Sequence, residues 1–255
     1  PPLPESMIPP TIPPNGMSAA KAALRYWERR QEVVANNLAN VSTDGFKAER
    51  AFARLEDGAT PVAQTATDLG TGTLRATGNP LDVALGGEGF VVVQTTTGER
   101  WSRAGSLQLN AARELVDQNG NPVLGSDGPI VVPDGIAGVE IDRRGVVRSA
   151  PQADRLGRFD GERAVFGTLR LETAPRGTSI AHEGDQYFLP TTDKRPLDAA
   201  TRDVRQGFVE DSNVSPTQAL VEMITIQRHF AFAQKALSTL DDARGKAVND
   251  LGKPV

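Results

Sequence analysis

Residues 17–45 read MSAAKAALRYWERRQEVVANNLANVSTDG, and their apolar positions recur every three or four residues. The series is Met17, Ala20, Leu24, Trp27, Gln31, Val34, Leu38 and Val41, with Gln31 its one polar member. That spacing lines one stripe of a helix that needs another helix to cover it. Near the other end, residues 219–240 read ALVEMITIQRHFAFAQKALSTL and repeat the pattern at Ala219, Met223, Ile226, Phe230, Ala233, Leu237 and Leu240. Two terminal helices that must find partners point to an assembly subunit before an enzyme.

Between these seams the chain becomes β-rich. Leu81 to Leu85, Phe90 to Thr95, Arg100 to Arg103, Leu107 to Leu109, Pro122 to Leu124, Ile130 to Val132, Val139 to Ile141, Val146 to Arg148, Val165 to Glu172 and Gln186 to Leu189 are short and rich in β-branched or aromatic residues. Turn signals such as Gly86-Gly87, Thr97-Gly98, Asn119-Gly120 and Arg144-Gly145 separate them. The pattern predicts a mainly β protein with terminal α-helices, its central domain antiparallel and partly closed. The simplest organisation is a discontinuous two-domain subunit. The terminal helices (17–46 plus 206–246) pair as a coiled-coil stalk, and the central β domain (77–205) projects from it through a connector (47–76) with at most a short strand.

A proline-rich arm (1–16) and a loose tail (247–255) complete the division. The seven prolines between Pro1 and Pro14 favour an extended arm, either passive or docked on a neighbour. The first helix is expected to stop at Asp44-Gly45. Ser215, Pro216 and Gln218 form a capping box that starts the last helix, and Gly245 is its expected stop.

Composition narrows the function classes. The 28 lysines and arginines against 32 acids leave a net charge of −4, so no general basic field draws in nucleic acid. Cysteine is absent, which removes thiol catalysis, zinc–thiolate sites and disulfides. No run approaches the roughly 20 apolar residues of a membrane span, so no direct membrane insertion is expected. The N-terminus lacks the blocks of a secretory signal, and the chain begins at Pro1. Work outside the cytoplasm then requires either a removed leader or an export route that leaves no cleavable mark.

Catalysis has little to work with. His182 and His229 stand far apart, and His229, beside seam residue Phe230, reads as a helix-surface or interface residue. Gly86-Gly87-Glu88-Gly89 lies between two strands rather than before a helix, so it reads as a tight turn and not a phosphate loop. No catalytic residue, cofactor or metal ligand is assigned. The asparagines carry more information. Asn36, Asn37 and Asn40 flank Leu38 and Val41, where amides set register in an apolar seam. The expected assembly interface is therefore Leu24, Trp27, Val34, Asn36, Asn37, Leu38, Asn40 and Val41 on the first helix. Met223, Ile226, Gln227, Phe230, Leu237 and Leu240 complete it on the last, with Gln234 as a further register amide.

ANNLANVSTDGFK (35–47) resembles the N-terminal signature of the flagellar basal-body rod and hook protein family. TGNPLDVAL (77–85), Gly89-Phe90, SRAG (102–105) and NGNPVLG (119–125) resemble its central β segment. QGFVEDSNV (206–214), with Met223-Ile224 and Gln227-Arg228, is similar to its C-terminal signature. The resemblance implies an axial structural subunit of the flagellum, not an enzyme, exported unfolded by the flagellar type III apparatus without a cleaved signal peptide. Its terminal helices would pack into an inner tube with copies of itself and other rod or hook proteins, in the periplasmic rod of the basal body.

The short connector and single β domain resemble the proximal-rod member, with a distal-rod or hook subunit as the alternative. Three positions depart from the family pattern: Ala231, Trp101, and Ala112-Arg113-Glu114 without its turn glycine. From other classes, a secreted carbohydrate-binding β protein would need exposed aromatics, yet aromatics make up 5% of the chain. An adhesin or autonomous coiled-coil scaffold would instead form a small closed oligomer.

Overall fold

The computed structural model describes residues 16–56, 60–136, 138–151, 163–175, 177–184 and 186–251. The proline arm before Gly16 and the last four residues of the tail lie outside them. The chain divides into two compact units, both discontinuous in sequence.

The first unit holds helix α1 (Gly16–Ala39), strands β1 (Glu49–Glu56) and β2 (Thr60–Thr67), and helix α2 (Pro216–Leu251). The helices meet with opposed numbering. Trp27 stacks on His229 with ring centroids 4.6 Å apart and planes 7° from parallel, and Arg30 Nη2 lies 2.7 Å from Glu222 Oε1. Residue numbers fall on one helix as they rise on the other, so the two run antiparallel. The described members of both seams are buried or half-buried except Leu240, and Val34 and Ile226 are the most enclosed of the expected interface residues.

Three expectations for this unit change. Helix α1 ends at Ala39, before Asp44-Gly45, because residues 40–46 close turns of their own. Thr43 N donates to Asn40 O (3.2 Å), Thr43 Oγ1 donates to Asn40 Oδ1 (2.9 Å), and Phe46 N donates to Thr43 O (3.2 Å). Short polar side chains compete here with the helical ladder. Helix α2 starts at Pro216 as the capping box requires, but it runs through Gly245 to Leu251. A glycine costs a helix only about 1 kcal/mol, and good helix formers surround this one. The expected connector is no linker: β1 and β2 pair as a two-stranded ribbon.

The second unit contains a six-stranded antiparallel sheet. Its spatial order is His182–Glu183, Tyr187–Phe188, Gly98–Ser102, Phe90–Thr95, Leu171–Thr173, Arg195–Pro196. The outer strands are two residues long and do not pair with each other, so the expected partial closure is absent. A three-stranded sheet (Val139–Ile141, Val146–Ser149, Val165–Thr168) contributes Val139, Ile141 and Val147 to the largest apolar core. A smaller core centres on Trp101, fully buried and stacked on Phe90 at 5.0 Å, with its indole Nε1 donating to Glu172 Oε2 at 2.8 Å. That carboxylate satisfies the buried ring donor.

Two short ladders tie the ends of the central segment together. Leu74–Ala76 pairs with Phe208–Glu210, and Val83–Leu85 pairs with Val204–Gln206, both antiparallel. Chain entering and chain leaving thus run side by side at the root of this unit.

Candidate functional site

The expected interface residues separate by exposure. Leu24, Trp27, Val34 and Leu38 on α1, and Met223, Ile226, Phe230 and Leu237 on α2, are buried or half-buried, as is Val41 just past α1. Asn36, Gln227 and Gln234 are exposed, whereas Leu240, 39% exposed, has its side chain beside Gly16 at the start of α1. Asn37 and Asn40 are buried. Asn37 Nδ2 donates to Glu49 O (2.8 Å) and its Oδ1 accepts from Glu49 N (2.9 Å), which clasps the start of β1. Asn40 holds the turn after α1. Inside the subunit, register between the helices comes from the Trp27–His229 stack and the Arg30–Glu222 pair instead.

Helix α2 has a second apolar stripe that the seam does not include. Leu220, Val221, Ile224 and Phe232 are 52–74% exposed. At 3.6 residues per turn they project on roughly the opposite side from Ala219, Ile226 and Ala233, which are buried. A helix apolar on two sides needs two partners. Helix α1 covers one side; the other remains in solvent.

At the root of the second unit four separate segments converge on one carboxylate. Glu210, fully enclosed, accepts from Lys47 Nζ (2.5 Å), Gly72 N (2.7 Å) and Arg103 Nη1 (3.0 Å). Lys47 Nζ also donates to Gly70 O (2.8 Å), and Arg103 Nη2 to Gly87 O (2.7 Å). Asn213 accepts from Ala48 N (2.7 Å) and donates to Asp68 O (2.8 Å) and Gly70 O (3.0 Å). Burial pushes the Lys47 ammonium and the Arg103 guanidinium below their ordinary values, and Glu210 opposes the shift in both. Such a node specifies geometry more than it adds stability, because desolvation offsets much of the attraction.

None of these four side chains was singled out by spacing. Lys47, Glu210 and Asn213 sit within the terminal signatures and Arg103 within the central one, and that common membership is the signal that could have found them.

Gly45 marks how tightly this root packs. Its φ is +71°, its N–H donates to Glu210 O at 2.6 Å, and a Cβ there would fall 2.2 Å from the Arg103 carbonyl carbon. Gly45→Ala is therefore expected to lose about 1–2 kcal/mol to the left-handed backbone alone, and more to the collision. Urea midpoints of the two chains, compared at equal m, measure it.

A cavity of about 430 Å³ opens beside Arg103, walled by Leu69, Phe90, Pro175 and Ile180. Among the described residues no group of three His, Asp or Glu side chains is placed to hold a metal ion, and no helix is long and apolar enough to cross a membrane.

Comparison with known proteins returns one family along the chain. Residues 15–47 match the family model described as flagella basal body rod protein. Residues 84–149 match the flagellar hook protein FlgE/F/G D1 domain, and residues 205–251 match the flagellar basal body rod FlgEFG protein C-terminal model. Among curated proteins, the flagellar basal-body rod protein FlgF of Caulobacter vibrioides is 32% identical, covering 88% of this chain and 93% of that one. FlgF of Salmonella typhimurium is 34% identical over 91% and 95%. The flagellar basal-body rod protein FlgG of Buchnera aphidicola subsp. Acyrthosiphon pisum is 28% identical over 87% and 94%.

Proposed function

This chain belongs to the flagellar basal-body rod protein family, and on that basis we propose that it polymerises through its terminal helices into the periplasmic drive shaft that transmits torque. It is a structural subunit of the basal-body rod and not an enzyme, and it assembles with other flagellar rod and hook proteins. The finer reading places it in the proximal rod, in contact with copies of itself, and has the flagellar type III apparatus export it without signal cleavage. The rod proteins FlgF at 32% and 34% identity, which cover 88% and 91% of this chain, support the rod reading.

One observation carries the polymerisation reading: α2 is apolar on two sides, and among the described residues only one of them is covered. In the assembly, Leu220, Val221, Ile224 and Phe232 meet a helix of a neighbouring subunit, while Leu24, Trp27, Val34, Met223, Ile226 and Phe230 hold the α1–α2 pair together as a coiled coil. The buried Glu210 node then fixes the strands that enter and leave the central domain, so that load reaching them is not lost in a flexible joint.

The paired substitution Ile224→Glu and Phe232→Glu tests this. Both positions are more than half exposed, so the isolated chain should keep its melting temperature. Swimming in soft agar should be abolished, and the chain should be missing from isolated basal bodies. Normal swimming with both glutamates in place would remove the uncovered face from the assembly.

A further inference from the structure

The ribbon formed by β1 and β2 has no third strand among the described residues. A two-stranded sheet alone in water is marginal at best, and stability ordinarily comes from a third strand or a covering layer. Both outer edges here offer backbone donors and acceptors, and both strands show apolar surface: Phe52 is 42% exposed and Val62 39%. Natural edges are usually guarded by charge. Strand β2, TPVAQTAT, carries none in eight residues.

Resting on the rod-subunit reading above, we propose that this ribbon is a second docking element whose uncharged β2 edge takes the β1 edge of the same ribbon from a neighbouring copy of this chain. Three features select that partner. The two edges differ, so pairing β2 of one copy with β1 of the next is heterologous and repeats openly, as a growing shaft requires. Strand β1 carries Glu49, Arg50, Arg54 and Glu56 while β2 carries no charge, so a β2 edge meets β1 of the next copy without a like-charge contact. The ribbon is also continuous with the helical interface, since the Asn37 amide of α1 grips Glu49 by both its N–H and its carbonyl. Any neighbour that docks on the helices therefore comes within reach of a ribbon set at a fixed root.

The absence of native cysteine makes the test direct. Two differently tagged versions, one with Phe52→Cys and one with Gln64→Cys, are expressed together in cells lacking the native gene. Basal bodies are isolated and treated with a short bis-maleimide, and only chains that copurify with them are scored. A product of twice the chain's mass carrying both tags is expected. If either variant fails to incorporate, Arg54→Cys with Val62→Cys replaces the pair.

Copurification of the tagged, cysteine-free chain with basal bodies is scored in parallel. Copurification without a ribbon product from the cysteine pairs overturns the ribbon pairing and leaves the rod reading standing. Absence of the tagged, cysteine-free chain from basal bodies overturns both. A ribbon product containing a different protein also overturns the proposal, because it commits to a second copy.

Discussion

Glu210→Ala is expected to lower the stability of the β-rich unit by about 3–5 kcal/mol, as removing one partner from a buried ion pair does. The carboxylate stands between two enclosed cations, Lys47 and Arg103, and it also receives the Gly72 amide. Its removal strands both charges and an N–H in a place water does not reach. Lys47→Met should cost less, because the Arg103–Glu210 pair that remains is electrically balanced and the methionine fills most of the vacated volume. Denaturant midpoints would give the order, with Glu210→Ala well below Lys47→Met and both below the native chain. The reverse order would mean that the node is held by packing and not by its charges.

The node also shows where sequence reading stops. Each helix announces itself, because a heptad seam is a property of one contiguous stretch and Pro216 after Ser215 is a local signal. The strands Phe90–Thr95 and Val139–Ile141 are equally local, and they form where their residue types place them. By contrast, Glu210, Arg103, Lys47 and Gly72 come from four stretches up to 163 residues apart. Nothing short of the folded chain puts them together.

The ribbon was illegible for another reason. ERAFARLE and TPVAQTAT are mediocre strand formers with alanines in both and a proline in one, and they become strands because they find each other beside the Asn37 clasp. Strand spacing alone suggests a partial closure that the central sheet does not have. Spacing sets how many strands exist, while closure needs edge strands long enough to meet, and these have two residues each. Arg113, where the family's turn glycine is missing, sits at φ 63° and donates from Nε to Val132 O at 3.2 Å, which holds it where glycine would be at ease.

Ile226→Asp carries the second large effect, and it falls on the other unit. Ile226 is 1% exposed at the centre of the α2 seam, so the change removes a buried side chain, at a cost of about 2–5 kcal/mol, and adds an unpaired carboxylate to an apolar contact. A one-sided helix the length of α1 gains most of its stability from packing and little from propensity. Without its cover it should unwind.

The chain contains two tryptophans, and each reports on one unit. Trp27, stacked on His229, should shift to the red and lose its indole packing. Trp101, fully enclosed beside Phe90 and bonded to Glu172, should keep its emission and its near-ultraviolet signal. Helical ellipticity at 222 nm should fall while the thermal transition followed through Trp101 stays in place. Ile224→Asp, two residues away on the exposed side of the same helix, should change neither signal in the isolated chain. If Ile226→Asp instead removes the Trp101 signal in the same transition, the helices and the sheets fold as one cooperative body, and torque passes through a single piece rather than across a joint.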